Sequence, residues 1–318
     1  MIDEKGKMKI SKYNKEDKQA FFFCYSLLAL PFLTFILYWV CINLSSILYA
    51  FQDHNGKWSM TNFVAVFKAF AHKDQYGWNL REVLLRSFTL WILIDVVCIV
   101  PTLFSTYVLF KKIPGHYVFR TIFMVPSVIG GIVWVMIIKY MVNVDGPILY
   151  MANELDLNVP IEVLYKGFLG ASKTAFNTII IINILPVLLG FNMIVTGAFA
   201  RIPKELFEVG QLDGLGFFRE FFTISLPLIW PTLVIWFIGN LATIFTMDGG
   251  VFLFTMGAYD TATMGFYLYY IVLQVAESGA DNVYGYPAAL GVVLTCVTVP
   301  IVLFGKFVLE KAVEPVEY

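Results

Sequence analysis

Residues 202–231 read IPKELFEVGQLDGLGFFREFFTISLPLIWP, a charged and glycine-containing segment between two long apolar stretches. Pro203 can begin a helix there, because its missing N–H falls where a first-turn donor has no partner anyway. Gly214 and Gly216 can end the helix, since glycine adopts the left-handed conformation that closes many helices. A helix of about three turns with this many charges is too short and too polar to cross a bilayer. We therefore expect it to lie at a membrane surface or to bind a soluble partner.

The composition is that of an integral membrane protein. Of the 318 residues, 59% are hydrophobic and 14% are charged, whereas soluble domains are roughly half apolar and a quarter charged. The net charge of −1 argues against nucleic-acid binding, which needs a dense basic face. The cysteines and histidines are dispersed along the chain without the spacing of a zinc or redox site, so we expect no metal site.

Six stretches with few or no charges are long enough to cross a bilayer, which takes about twenty helical residues. Backbone groups in lipid must be satisfied within each segment, so we expect these stretches to be helices and the protein to be all-α. We place the spans near residues 21–49, 84–110, 118–140, 174–199, 222–246 and 286–307. They form a membrane domain, residues 21–310, between tails at 1–20 and 311–318.

Lysine and arginine lie mainly on one side of the predicted membrane domain. Fourteen of the 22 fall in the N-terminal tail, near the C-terminal end, and in the loops at 111–120 and 201–219, whereas residues 247–285 contain none. Because positively charged loops stay in the cytoplasm, both tails and the segment 202–231 are predicted to be cytoplasmic. The remaining long loops are then external, and the apolar residues 264–276 among them are too few for a seventh span.

The spacing of residues within the charged segment resembles a known motif. The tripeptide EVG at 208–210 is followed after three residues by Gly214 and, after nine more, by ISLP at 224–227. This pattern resembles the EAA-X3-G-X9-I-X-LP loop of permeases in binding-protein-dependent, type I ABC importers, although valine and glycine replace its two alanines. In that family the loop forms a coupling helix that fits a cleft in a cytoplasmic ATPase. The resemblance therefore implies a permease (MetI-like) bundle of six transmembrane helices, with the coupling helix in residues 201–221.

The resemblance also implies which residues contact the ATPase. They lie in and beside the motif: Glu205, Glu208, Val209, Gly210, Asp213, Gly214 and Leu215. The alternative is a loop that only joins two helices and uses its glycines in turns. The motif spacing favours the coupling helix.

Three further segments resemble the maltose-type carbohydrate subfamily, and within it the F-type permease subunit. They are FRT at 119–121, GFNM at 190–193 and YPAAL at 286–290, whereas the GGGP segment usual after the fifth span is reduced to DGG at 248–250. The resemblance implies a bacterial cell membrane protein that transports a sugar or oligosaccharide. Its implied partners, besides the lipid bilayer, are a second homologous permease, two cytoplasmic ATPase subunits and an extracytoplasmic binding protein.

The chain itself is not expected to hydrolyse ATP. No GxxxxGK[ST] phosphate-binding loop occurs in the sequence, and such a loop supplies the backbone N–H groups and lysine that hold the nucleotide phosphates. We therefore expect no cofactor in this chain and no catalysis by it, with ATP and magnesium bound by the partner ATPase.

The resemblance to the subfamily implies a translocation path on the helix faces that flank the coupling loop. The expected path residues are Asn183, Val187, Gly190, Asn240, Thr243, Ile244 and Met247. Amide side chains suit sugar hydroxyls because they both donate and accept hydrogen bonds. The alternative for the asparagines is hydrogen bonding between membrane helices, which is common, and the sequence leaves both open.

Other functions remain open at this stage. The solute of the same importer class need not be a sugar. An ion-coupled secondary transporter would need ionisable groups inside the membrane, and Asp95 is the one acidic residue within a predicted span. A membrane scaffold without transport would use its intramembrane asparagine and proline residues for packing only.

Overall fold

The computed structural model describes residues 15–53, 55–74, 77–189, 193–278 and 284–312. The described part of the chain is helical and has no β-strand; Gln52 and Trp58 form an isolated antiparallel bridge. The prediction of an all-α protein is therefore confirmed.

The helices follow one another along the chain with short connections. They are α1 (Lys15–Thr34), α2 (Ile42–Ala50), α3 (Thr61–Ala71), α4 (Leu80–Trp91), α5 (Ile99–Phe110), α6 (His116–Val128), α7 (Gly131–Met141), α8 (Pro147–Glu154), α9 (Ile161–Lys166), α10 (Ala175–Leu189), α11 (Met193–Ala200), α12 (Lys204–Leu212), α13 (Phe217–Glu220), α14 (Leu226–Ala242), α15 (Val251–Phe254), α16 (Met264–Ser278) and α17 (Gly285–Ala312). Three π-helical stretches lie between α1 and α2, between α4 and α5, and between α13 and α14: Phe35–Cys41, Ile92–Val97 and Phe221–Ser225.

Four helical runs among the described residues are long and apolar enough to cross a membrane. They are Phe21–Ala50, Leu80–Phe110, Phe217–Ala242 and Gly285–Lys311. Each overlaps one of the predicted spans, and together they are the pattern of a multi-pass membrane protein. Of the two other predicted spans, one is interrupted and the other includes residues outside the described ranges, so the count of six stays a prediction.

The predicted span at 118–140 is interrupted between α6 and α7. Ile129 and Gly130 have extended ψ angles of 125° and 137°, and the adjacent glycines at 130 and 131 lower the local helix propensity. The Ile129 N–H still bonds to the Val125 carbonyl at 3.2 Å, and the Trp134 N–H bonds to the Gly130 carbonyl at 3.0 Å. The helical bonding therefore stops and starts again within two residues.

The predicted span at 174–199 contains α10 and α11. Residues 190–192 between them, including Gly190 of the predicted path, lie outside the described residues.

The helical run that corresponds to the predicted span at 222–246 begins at Phe217, within the charged segment and about one turn before its predicted start. The helix α13, the π-helical stretch and α14 form one continuous run. The π-helical stretch ends at Ser225, two residues before Pro227. A π-helix shifts each backbone hydrogen bond by one residue. The shift occurs next to Pro227, which has no N–H to donate, and so allows the helical run to continue through the proline.

Buried apolar side chains form two main clusters. The larger joins α3, α4, α10, α14, α16 and α17, and includes Phe266 and Tyr267, which are 1% and 0% exposed. The smaller joins α5, α11, α12 and α14, and includes Tyr107, Phe199 and Phe207. The smaller cluster therefore attaches the short helix α12 to the long apolar helices.

The first helical run lies largely outside these clusters. Its side chains from Phe21 to Tyr49 are exposed, and Ala50 at its end is buried. Its second half packs against α17. An apolar surface of this extent suits contact with lipid or with other membrane helices.

Candidate functional site

The helix α12 lies where the charged segment predicts a helix. Pro203 has φ −58° and ψ 136° and stands directly before the first turn. Gly214 has φ +73°, the Leu215 N–H bonds to the Gly210 carbonyl at 2.9 Å, and the Gly214 N–H bonds to the Gln211 carbonyl at 3.1 Å. These two bonds form a Schellman motif, in which a left-handed glycine closes the helix.

One face of α12 packs against the bundle. Phe207 and Gly210 are buried, and the Phe207 ring lies 5.6 Å from the Phe110 ring between centroids. A Cβ atom added to Gly210 would lie 2.7 Å from Ile224 Cδ1. The glycine therefore lets the helix approach the next segment more closely than alanine would.

The opposite face of α12 is exposed and mixes acidic with apolar side chains. The exposed residues on it and at its end are Glu205, Leu206, Glu208, Val209, Leu212, Asp213 and Gly214. Leu212 is 87% exposed and Val209 is 54% exposed. Sequence reasoning missed Leu212, although its spacing of three from Val209 places both on one side of a helix.

The predicted coupling residues therefore divide into two groups. Glu205, Glu208, Val209 and Asp213 are exposed, and Gly214 closes the helix. Gly210 faces the bundle, and Leu215 is half-buried beside it.

An ion pair between half-buried Lys111 and buried Glu220 lies beneath α12. Glu220 is 3% exposed, its carboxylate pairs with Lys111 Nζ, and it accepts a hydrogen bond of 2.8 Å from the Tyr107 hydroxyl. Lys111 Nζ also lies 4.4 Å from the centroid of the Phe207 ring. Sequence reasoning used Lys111 only for the charge asymmetry and missed Glu220; the available signal was an acidic residue within FFREFF, residues 217–222.

Asn183 of the predicted path joins two elements. Its Nδ2 donates to the Ile179 carbonyl at 2.8 Å within α10 and to the Gly249 carbonyl at 2.9 Å in the turn after α14. Val187 lies one turn further along α10, and its carbonyl accepts a hydrogen bond of 3.1 Å from the Thr102 hydroxyl. The two predicted path residues thus connect α10 to the turn after α14 and to α5.

The other predicted path residues lie at the end of α14 and just after it. The Asn240 carbonyl accepts hydrogen bonds from Trp91 Nε1 at 2.9 Å and from the Thr243 hydroxyl at 2.8 Å. Thr243 is exposed and Met247 is half-buried, whereas Ile244 is 1% exposed. The Ile244 side chain therefore packs in the core of the chain in this conformation.

The DGG segment forms a tight turn next to these residues. Gly249 and Gly250 have φ of +66° and +76°, and a Cβ atom on Gly249 would lie 2.4 Å from Leu90 Cδ2. The Asp248 carboxylate accepts a hydrogen bond from the Phe252 N–H at 3.3 Å. Burial raises the pKa of the Asp248 carboxyl, against the effect of the backbone N–H groups of Phe252 and Gly250.

Another polar cluster joins two of the loops that the sequence predicts to be external to the start of α17. The Tyr267 hydroxyl donates to Asp74 Oδ2 at 2.6 Å and lies 2.9 Å from the Tyr286 hydroxyl. Asp74 Oδ1 accepts a hydrogen bond of 2.9 Å from the Trp78 N–H. The cluster links the segment between α3 and α4 to α16 and to the start of α17.

Asp95 lies in the π-helical stretch Ile92–Val97. Its Oδ2 atom is buried and has no hydrogen-bond partner within the part of the chain that the structure describes. The salt bridges among the described residues do not include Asp95.

Comparison with known proteins identifies related permeases. No protein-family model matches the chain. The probable ABC transporter permease protein YurN of Bacillus subtilis (strain 168) is 25% identical over 187 residues, which are 58% of this chain and 61% of YurN. The arabinooligosaccharides transport system permease protein AraP of Halalkalibacterium halodurans is 26% identical over 235 residues, which are 68% of this chain and 69% of AraP. The match to YurN thus spans less than two thirds of that relative's length.

A solved structure has the same fold. It is the crystal structure of a bacterial alginate ABC transporter in complex with an alginate pentasaccharide-bound periplasmic protein. The match has a TM-score of 0.75 and 19% sequence identity, and it covers 94% of this chain and 98% of the other. Together with the sequence relatives, this shared fold confirms the resemblance found in the sequence: the chain is related to the permease subunits of carbohydrate-type ABC transporters.

Proposed function

We propose that this chain is the permease subunit of an ATP-driven importer that takes up a sugar or oligosaccharide delivered by an extracytoplasmic binding protein. The observation that carries the proposal is the two-sided arrangement of α12. One face is packed on the bundle through Phe207 and Gly210, and the other exposes Glu208, Val209 and Leu212. A helix attached on one side and free on the other can bind a moving partner and pass the motion to the membrane helices.

The proposed partners are a second homologous permease, two cytoplasmic ATPase subunits and an extracytoplasmic binding protein. ATP and magnesium would be bound by the ATPase subunits, and this chain would hold no cofactor and catalyse no reaction. The relatives support this assignment because they are named as permeases, and the structure with the shared fold contains a periplasmic protein.

In the proposed membrane arrangement, α6 with α7 and α10 with α11 are the third and fourth of six crossings. Both tails and α12 lie in the cytoplasm of a bacterial cell. Unsatisfied backbone groups at membrane depth must be covered by protein or face water. The interruption at residues 129–130, where Gly130 is exposed, would therefore face the second permease or the central cavity rather than lipid.

The proposed path runs along the region where α10 meets the end of α14 and the DGG turn. Asn183, Asn240 and Thr243 would supply polar contacts there. AraP is named as a permease for arabinooligosaccharides, and the structure with the same fold is that of an alginate transporter. Both solutes are carbohydrates, which supports a carbohydrate substrate for this chain.

The proposed mechanism is a switch between two packings of the helices. Closure of the ATPase subunits on ATP would move α12 and open the cavity outward, where the binding protein releases its solute. Nucleotide on one side and loaded binding protein on the other would each bias this equilibrium through their different affinities for the two states.

A site-specific photo-cross-linker tests the docking of α12. It would replace Leu212, which is 87% exposed, or, as the control, Tyr150, which is 67% exposed in α8. In membranes of the native host we expect the Leu212 position to cross-link to an ATPase subunit, recognised by its phosphate-binding-loop peptide, and the Tyr150 position not to do so. Absence of the ATPase from the Leu212 product, or equal cross-linking from both positions, would contradict the proposal and its membrane orientation.

Transport by the purified complex in proteoliposomes tests the solute class. Uptake of labelled oligosaccharides should require ATP and the binding protein. A binding protein that binds peptides or amino acids instead would contradict the sugar assignment. Uptake by this chain alone without ATP would indicate a secondary transporter.

A further inference from the structure

We infer that the ion pair of half-buried Lys111 and buried Glu220 positions α12 on the bundle, so that movement of α12 is passed to α5 and α14. The inference rests on the proposed function, because it assigns a role within the proposed coupling step. Neither residue belongs to the exposed face of α12, so the pair acts behind the docking surface.

The pair joins three separate segments at one cation. Lys111 directly follows α5, Glu220 ends α13, and Phe207 lies in α12. Lys111 Nζ pairs with Glu220 Oε1 and lies 4.4 Å from the centroid of the Phe207 ring. The ammonium group thus holds the acidic end of α13 and the aromatic face of α12 at the same time.

The Tyr107 hydroxyl completes the site from one turn earlier in the same helical run. It donates to Glu220 Oε1 at 2.8 Å and lies 3.3 Å from the Phe217 carbonyl. Its ring is 0% exposed, so its position is fixed by the surrounding core. The carboxylate therefore has a charged and a neutral donor, both from the end of the second apolar run.

Burial makes this arrangement restrictive. The Glu220 side chain is 4% exposed and the Lys111 side chain 20%, so neither charge can be hydrated fully if the pair separates. Removing one partner of a buried pair leaves the other uncompensated, whereas a buried pair contributes little net stability compared with apolar packing. Its main effect is therefore to allow one relative placement of α5, α12 and α13.

Two exposed salt bridges elsewhere do not have this property. Glu162 with Lys166 and Glu310 with Lys306 are pairs within single helices, and each carboxylate side chain is at least 42% exposed. Such pairs can open into water at little cost. The pair of Glu310 with Lys306 serves as a control in the experiment below.

The experiment compares transport with ATP hydrolysis in the complete complex. The test variants are Glu220→Gln, which keeps an acceptor for Tyr107 but removes the charge, and Lys111→Met, which keeps an unbranched side chain of similar length but removes the ammonium group. The controls are Lys112→Met, at an exposed neighbouring lysine, and Glu310→Gln, at an exposed pair.

We expect both test variants to assemble with the ATPase at wild-type levels, because the exposed face of α12 is unchanged. Solute transported per ATP hydrolysed should fall about tenfold or more, since the helices no longer move together. The double variant should be no worse than the worse single variant, because both remove the same link. Lys111→Arg should retain most of the coupling, and the controls should be unchanged.

An unchanged ratio of transport to ATP hydrolysis in assembled Glu220→Gln and Lys111→Met complexes would overturn the inference.

A spin-label distance between Leu212 and Tyr117, both exposed, provides an independent measurement in the chain alone. The distribution should broaden in the two test variants and stay narrow in the controls. If the wild-type complex showed no ATP-driven transport, the proposed function would fail, whereas an unbroadened distribution would overturn the pair's positioning role alone.

Discussion

The end of α12 allows a quantitative test with a closely matched control. Gly214 has φ +73°, and a Cβ atom added there would meet no atom of the described residues within 4 Å. Substitution by alanine therefore costs backbone conformational energy without steric overlap. Gly216, two residues away, has φ −75° and ψ 163° and also has open space around an added Cβ, so alanine fits there in an ordinary extended conformation.

The expected magnitude follows from this difference. An L-residue in the left-handed region costs about 1–2 kcal/mol, so Gly214→Ala should weaken the Schellman end of α12 by that amount. Gly216→Ala should be neutral or should stabilise by up to about 1 kcal/mol, because it restricts the unfolded chain. Gly214→Asn should lie between wild type and Gly214→Ala, since asparagine enters the left-handed region more readily.

Amide hydrogen exchange of the chain in lipid nanodiscs measures this local effect. The Gly214 and Leu215 N–H groups make the two closing bonds, at 3.1 and 2.9 Å. A loss of about 1–2 kcal/mol should accelerate their exchange about 5- to 30-fold in Gly214→Ala. Wild-type exchange rates in Gly214→Ala, or the same acceleration in Gly216→Ala, would refute the assignment of Gly214 as the residue that closes α12.

Two further predictions concern the larger core. Burial and hydrogen bonding to Asp74 and Tyr286 raise the pKa of the Tyr267 hydroxyl. Below about pH 10 the hydroxyl is protonated in both the folded and the unfolded state, so its titration should not affect stability. Above that pH the unfolded state loses the proton and the folded state keeps it, so stability should fall. Thermal unfolding from pH 7 to 11 should show a steeper alkaline loss for wild type than for Tyr267→Phe, and equal losses would contradict this. Asn183→Ala should lower stability by about 1 kcal/mol, because the bond to the Gly249 carbonyl is lost, and an unchanged unfolding temperature in detergent would count against it.

The sequence predicts those features that depend on local pattern. Long apolar stretches gave four helical runs of the expected kind, and the glycine at 214 marked the end of α12 because its left-handed backbone is a property of one residue and its neighbours. The interruption at 129–130 was missed, since an apolar stretch of sufficient length looks the same whether or not its backbone stays helical. Adjacent glycines were the available signal.

Contacts between distant parts of the chain could not be predicted in this way. Lys111 and Glu220 are separated by more than a hundred positions, and the pairing of Asn183 with the Gly249 carbonyl crosses 66 positions. A single sequence shows that such residues are costly in apolar surroundings but does not give their partners. From the sequence, the Asn183 side chain could therefore contact substrate or form an interhelical hydrogen bond. The structure shows its hydrogen bond to the Gly249 carbonyl, and the substrate contact stays a prediction.

The two positions at which this chain departs from the alanines of the coupling motif have different surroundings. Gly210 faces inward, where an added Cβ atom would lie 2.7 Å from Ile224 Cδ1 and 3.2 Å from Leu215 Cδ1. Glycine lowers helix propensity by about 0.5–1 kcal/mol relative to alanine, and the closer approach of these two side chains offsets part of that loss. Val209 faces outward and is 54% exposed, so any partner bound to this face must accommodate its branched side chain. The inner departure therefore changes how α12 is attached to the bundle, and the outer departure changes what it can bind.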